Sequence, residues 1–278
     1  MHVAADFTWK IRNKLSAHRP DFKATLVSLQ ALVLAVLLVG LCWWIGALLV
    51  DDQNVMPDPG SVADRFGELI STDSQNSLPQ NAWSSLLRIL IGWGGGTLAG
   101  VAAGIAMASN RWIRGVLDPL IELARPIPPL AFAPLLVIWF GIGELPKMLI
   151  LAFVAFPVVA ISTVASISNI DENWVRAART LGAGRPYVLR RVTIPASLPG
   201  ILISIRLANG LCWGTLVAAE IIASTSGLGW LILQAGRYLD TPTIFVGIIA
   251  IGVLAFVTDR ILRWAEAVLV PWRGKAAS

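Results

Sequence analysis

WVRAARTLGAGRPYVLRRVTIP, residues Trp174 to Pro195, is a basic, patterned insert lodged between two long apolar segments. Asp171 or Asn169 can cap a helix there, and Glu172 suits its first turn. Trp174, Ala177, Ala178 and Leu181 then recur at helical spacing and give one apolar face, flanked by Arg176 and Arg179. Gly182-Ala183-Gly184 ends that helix, because glycine accepts left-handed backbone geometry. Pro186 fits the first turn of a second helix, with Tyr187, Val188, Leu189 and Val192 as its apolar residues. Pro195 and Pro199 are expected to close it. The prediction is two short amphipathic helices around a glycine elbow. An apolar chain that keeps such an insert on one side presents it to a partner.

The flanking segments say that the chain is a membrane protein. Of 278 residues, 56% are hydrophobic and 14% are charged, where a soluble domain carries roughly 25% charged residues. A spanning helix needs about 20 apolar residues, and six segments qualify: 26–50, 84–108, 120–140, 146–168, 198–223 and 243–262. The expected architecture is all-α with six transmembrane helices. Residues 1–25 form a tail, 26–270 one membrane domain, 169–197 a connecting loop, and 271–278 a second tail. The 26–50 run is too long for a signal peptide and lacks a small-residue cleavage site, so it reads as a retained anchor.

Basic residues favour the cytoplasmic side. With the N-terminus inside, that side holds Lys10, Arg12, Lys14, Arg19 and Lys23, then Arg111 and Arg114, the five arginines of the insert, Arg260, Arg263, Arg273 and Lys275. The outside keeps Arg65, Arg88, Lys147 and Arg237. This puts both termini and the insert in the cytoplasm. The net charge of +5 then reflects loops on one membrane face and not a nucleic-acid surface.

Several chemistries are excluded. No glycine-rich phosphate loop with its lysine is present, so the chain has no route to ATP hydrolysis by that motif. His2 and His18 both sit in the N-terminal tail. Cys42 and Cys212 lie in apolar runs as small hydrophobes. No metal-ligand spacing and no catalytic set of residues is found. The expectation is a non-enzyme that binds no cofactor itself.

Polar and irregular features inside the spans are the candidates for a translocation path. Arg125-Pro126-Ile127-Pro128-Pro129 interrupts the third span. Its prolines remove backbone donors, leaving either a bent helix beside a path or a helix that starts at Pro129 after an elbow. Ser162 in the fourth span and Arg206, Asn209 and Glu220 in the fifth are costly in lipid and default to function, although Glu220 also suits a bond to the Ser224–Gly227 turn. Gly92, Gly96, Gly100 and Gly104 fall at four-residue steps and permit close helix contact, within one subunit or between two. Ser226-Gly227-Leu228-Gly229-Trp230 reads as an outer docking or re-entrant segment.

Ala177-Ala178, Gly182, nine residues, then Val192-x-Ile194-Pro195 resembles the EAA loop of ABC importer permeases. The usual loop has glutamate where Arg176 stands and leucine where Ile194 stands. Ser85-Leu86-Leu87-Arg88, the run from Arg125 to Glu144, and Glu220 with Ser226-Gly227-Leu228-Gly229 are similar to the nitrate/sulfonate/taurine/bicarbonate branch. The resemblance implies a type I (MetI-like) importer permease fold in the bacterial inner membrane. It implies a homodimer served by two ABC ATPase subunits that use ATP and Mg, with an extracytoplasmic solute-binding protein delivering a small solute, an anion or a pyrimidine-type vitamin precursor. It implies that Arg176, Ala177, Ala178, Leu181, Gly182, Tyr187, Val192, Ile194 and Pro195 couple to the ATPase, while Arg125, Pro128, Pro129, Ser162, Arg206, Asn209 and Glu220 stay the path candidates that their polarity and irregular backbone single out. A secondary transporter would need paired broken helices, and only one broken span is visible. A lipid-adsorbed scaffold is the other rival.

Overall fold

The computed structural model describes residues 22–50, 52, 55–71 and 77–272. The basic residues Lys10, Arg12, Lys14, Arg19, Arg273 and Lys275, and both histidines, lie outside these. The chain divides into two units, 1–61 and 62–278.

In the first unit, helix α1 (Phe22–Val50) occupies the first expected span. Trp43 Nε1 donates to Pro57 O at 3.0 Å. Helix α2 (Pro59–Ser71) begins directly after Asp58 and belongs to the second unit from Val62 on. Asp58 Oδ1 accepts from the Gly60 and Ser61 amides at 2.7 and 3.0 Å. A carboxylate thus satisfies two amides that have no intrahelical partner, and Pro59 has none to satisfy.

The second unit is built on α3 (Leu78–Ser109), α6 (Glu144–Ser168) and α9 (Ile194–Ala223). The glycine stripe of α3 faces α6 in the same chain. A Cβ at Gly92, Gly96 or Gly100 would lie 2.7, 2.5 or 2.8 Å from the carbonyl oxygens of Met148, Ala152 and Phe156, and one at Gly104 would lie 2.5 Å from Thr163 Cβ. Both helices advance by four residues per contact in the same direction, so they run parallel with backbones touching. Packing of this closeness is how helices associate where lipid offers no hydrophobic drive. The choice between a contact inside the subunit and one between subunits is thereby settled for these four glycines. Helix α9 runs antiparallel to both. Cys212 Sγ donates to Leu151 O at 3.4 Å, and Trp93 Nε1 to Ile205 O at 3.2 Å. Ile89, Leu151, Val159, Ala208, Cys212, Trp213 and Leu216 form the core between the three helices.

Between α3 and α6, the third expected span is split. Helix α4 (Arg111–Ala124) is followed by a 3-10 turn (Pro129–Phe132) and α5 (Ala133–Phe140), with an 89° bend between the two halves. After α6 come α7 (Glu172–Thr180), α8 (Arg185–Val188) and a five-residue π turn (Leu189–Thr193) that enters α9. Pro195 and Pro199 therefore do not close a helix, as the sequence suggested. The wide π turn leaves Pro195 in the first turn of α9, where a missing N–H costs nothing, and the helix continues unbroken from Arg185 to Ile222. Helices α10 (Leu228–Arg237) and α11 (Thr241–Leu269) complete the unit. Within the Ser226–Trp230 segment, Gly227, Leu228 and Gly229 are buried. Among the described residues, four helices are long and apolar enough to cross a membrane, or five with the bent pair as one.

Candidate functional site

Asn81, Ser85 and Arg88 lie three and four residues apart and so share one face of α3. They meet the end of α9 and the turn that follows it. Arg88 Nη1 donates to Glu220 Oε1 at 2.6 Å and to Ser226 O at 2.8 Å, and Nη2 donates to Ser226 Oγ at 2.8 Å. Its Nε and Nη2 reach the two Glu144 oxygens at 2.5 and 2.8 Å. Ser85 Oγ donates to Glu220 Oε1 at 2.8 Å, and the Gly229 amide donates to Oε2 at 2.8 Å. Lys147 Nζ donates to Glu144 Oε1 at 2.8 Å and to Ser224 Oγ at 3.1 Å. Gly227 has φ +109°, and a side chain there would run into Glu220 and Arg88, so the turn closes over the pair only with glycine. Arg88 and Lys147 count with the outer-side charges in the sequence, near the starts of their spans. Both are buried: Arg88 faces carboxylates from two other helices, and Lys147 faces Glu144 of its own helix.

Apart from this network, the bend at 125–129 opens a cleft of about 460 Å³ against α6 and α9. Arg125 and Pro129 line it from the bend, Phe153, Pro157 and Ser162 from α6, and Leu207, Leu211 and Thr215 from α9. Both readings of the proline run hold in part: the chain turns an elbow, a helix restarts at Pro129, and the break lines a cavity. Such breaks are tolerated at membrane depth where they line a cavity. Pro128 caps the turn outside the lining. Arg206 does not line the cleft. It pairs with Asp259 at 3.1 Å and Glu266 at 3.0 Å and ties α9 to α11. Asn209 donates to Thr258 at 3.3 Å, and Glu220 is held by Arg88. The apolar lining residues gave no polar signal in the sequence, although Pro157 in mid-helix was a visible irregularity.

At the other end of α6 the elbow takes the shape that its glycines dictate. Asp171 is the cap, accepting from Asn173 N at 2.9 Å. Arg176 pairs with Glu172 on the exposed side of α7. The Gly182 amide donates to Arg179 O at 2.9 Å and the Ala183 amide to Ala178 O at 3.1 Å, with Gly182 at φ +84°. These two bonds stop the helix by satisfying its last carbonyls. Leu181 is 88% exposed and Tyr187 60% exposed. They flank a surface hollow of about 410 Å³ with Ala178, Gly182, Ala183 and Gly184. Ala177 is exposed as well, whereas Val192 in the π turn and Ile194 and Pro195 at the start of α9 are half-buried, away from that hollow's lining.

The sequence profile of the binding-protein-dependent transport system inner membrane component family matches residues 96–269. The chain belongs to that family. This inner membrane transport component is 39% identical over 273 residues to the taurine transport system permease protein TauC of Escherichia coli, covering 95% of this chain and 98% of the relative. It is 34% identical to the putative aliphatic sulfonates transport permease protein SsuC of Bacillus subtilis, covering 88% of each. It is 32% identical to the riboflavin transport system permease protein RibX of Chloroflexus aurantiacus, covering 78% of this chain and 80% of the relative. A structure of the MetNI methionine ABC transporter in inward-facing conformations superposes with a TM-score of 0.54 at 20% identity, over 66% of this chain and 93% of that one. The permease thus has the all-helical type I importer fold. It is a multi-pass inner membrane protein, and the family to which it belongs consists of transporter subunits and not of enzymes.

Proposed function

We propose that this permease forms the membrane path of an ATP-driven importer for a small sulfonate-type anion. Two copies pair, two ABC ATPase subunits supply ATP and Mg chemistry, and an extracytoplasmic binding protein delivers the solute and sets most of its specificity. Both termini and the 169–197 loop face the cytoplasm. The observation that carries this reading is the elbow at Leu181 and Tyr187: an apolar, solvent-exposed knob on a chain with no phosphate loop of its own. An exposed apolar patch marks an interaction site, and Ala177, Ala178 and Gly182 leave room for close approach. With Arg176 bound to Glu172, shape and apolar contact at Leu181 and Tyr187 dominate the docking, and Val192, Ile194 and Pro195 hold the elbow to α9.

The bent third span, with Arg125 at its elbow, supports a path through the cleft at Pro129 and Ser162. One cation among apolar walls suits a monovalent organic anion, as the name of the aliphatic sulfonate relative suggests. The apolar lining and the riboflavin relative favour a second reading, an uncharged or weakly charged vitamin-type heterocycle.

Co-purification of the tagged chain from its host, followed by identification of companions, tests the assembly. The expected companions are an ABC ATPase and a second permease copy, and recovery without any ATPase overturns the reading. Uptake of labelled taurine competed by ethanesulfonate or by riboflavin separates the substrates. The Leu181→Glu variant is expected to insert normally and lose ATP-dependent uptake, and unchanged uptake sinks the coupling role.

A further inference from the structure

The four charged groups of the Arg88 cluster are not equivalent. Arg88 and Glu220 side chains are each 1% exposed and Lys147 is 3% exposed, while Glu144 is 52% exposed. Glu220 is enclosed, with Ser85, Arg88 and the Gly229 amide all bound to it. Glu144 is bound only from the cationic side, where it takes the flat Nε–Nη2 edge of Arg88 and Lys147 Nζ. Its opposite side is exposed.

We propose that Glu144 is the displaceable occupant of an anion site, and that a small monovalent oxyanion, a sulfonate or carboxylate, exchanges with it on Arg88 and Lys147. Charge balance drives the exchange. With Glu144 in place, two cations face two carboxylates. With Glu144 turned to solvent, two buried cations face Glu220 alone, and an uncompensated buried charge is strongly disfavoured. One monovalent anion restores neutrality. The geometry matches too: the guanidinium edge offers two parallel N–H donors, the fork that holds carboxylate or sulfonate oxygens in pairs. Lys147 adds a point charge, and the hydroxyls of Ser224 and Ser226 adjoin. Glu144 sits in the first turn of α6, at the far end of that helix from the elbow, and turning it out breaks no backbone bond. The site is thus a station for the solute apart from the Arg125 cleft. This assignment rests on the anion reading of the transported solute.

The test is titration calorimetry of sodium methanesulfonate into the purified full-length chain in lipid nanodiscs, as wild type and as Glu144→Gln. Removing the competing carboxylate lifts the occupancy penalty on the site, so the variant is expected to bind at least tenfold more tightly. Adding Lys147→Met to Glu144→Gln is expected to erase that gain. No tighter binding in Glu144→Gln overturns the proposal, and a gain for sodium chloride but none for methanesulfonate overturns the oxyanion assignment. If Glu144→Gln does not fold, Glu144→Asp serves, because its shorter reach predicts a smaller gain of the same sign. Anion uptake by cells is measured in parallel. Anion uptake without the affinity gain removes this site and leaves the importer reading standing. The gain without anion uptake removes the substrate reading and leaves the site.

Discussion

Arg88 Nη1 meets Glu220 Oε1 at 2.6 Å, 132 residues apart in sequence, with each side chain only 1% exposed. The pair joins the first turns of α3 to the last turns of α9. Breaking a buried pair by removing one partner costs about 3–5 kcal/mol, whereas replacing both by apolar residues is often close to neutral. Arg88→Met and Glu220→Met are each expected to lower the unfolding temperature sharply, and the double variant to recover much of the loss. Thermal unfolding of all four proteins in one detergent measures this coupling. Strictly additive losses would show that the two side chains act independently.

The parallel contact of α3 and α6 leaves no room for a side chain at Gly96. Gly96→Val is expected to destabilise by about 1–3 kcal/mol through overpacking and to reduce the folded yield. Gly95, one residue away, has open space around its Cα. Gly95→Ala is expected to be neutral or stabilising by up to about 1 kcal/mol from helix propensity. Yield and unfolding temperature compared between the two variants check the prediction, and equal behaviour contradicts the packing.

Arg65 ties α2 to the start of α11, with Nη2 at 2.7 Å from Asp240 and Nε at 2.8 Å from Thr243 Oγ1. Burial pushes the Asp240 carboxyl up, but hydrogen bonds from Thr243 and the Arg65 charge outweigh it and hold the group below its ordinary value. A carboxyl depressed in the folded state adds stability above its unfolded value of about 3.9 and loses it as pH falls through the folded value. The stability gap between wild type and Asp240→Asn should therefore be full at pH 7 and shrink below about pH 4. Unfolding temperatures measured from pH 7 to pH 3 decide it, and a gap that widens on acidification contradicts the sign.

The cleft makes a further prediction. Ser162 faces a cavity of about 460 Å³, so Ser162→Phe fills space without disturbing the core. Transport is expected to fall at least tenfold with the unfolding temperature unchanged. Arg125→Met is expected to weaken uptake of a sulfonate while sparing a neutral solute. Uptake of both labelled classes in the same membrane vesicles tests the pair of variants.

At the elbow, Gly182 holds φ +84° with nothing near its Cα. The cost of Gly182→Ala is therefore backbone strain alone, about 1–2 kcal/mol, and Gly182→Trp adds bulk at the exposed knob. Both variants are expected to insert. ATP-dependent uptake should fall modestly in the first and vanish in the second, and equal uptake in the two rules out a role for the hollow.

The residues of the Trp174–Pro195 insert show how far sequence alone reaches. Its first helix, glycine stop and second start were all legible, because capping and left-handed glycine geometry are local. The fate of Pro195 was not legible. A proline reads as a breaker unless the preceding turn is known to be wide, and the π turn at Leu189–Thr193 leaves no local signature. The glycine stripe announced a close contact, but its partner on α6 depends on which helices lie together. Arg88 illustrates the same limit. Near the start of its apolar segment it counts with the outer-side charges, and only the arrival of Glu144 and Glu220 from two distant helices lets it be buried.

The uninterrupted helix from Arg185 to Ile222 has a mechanical consequence. Its 38 residues make a rod about 57 Å long at 1.5 Å per residue, with Tyr187 near one tip and Glu220 near the other. The left-handed glycines that flank it, Gly182 and Gly227, both lie outside the rod. A torque applied to the tip at Tyr187 crosses the π turn at Leu189–Thr193 and is then carried along α9 as tilt or twist, arriving where Arg88 grips Glu220. The charged cluster is in this sense the far bearing of a lever whose handle is the elbow.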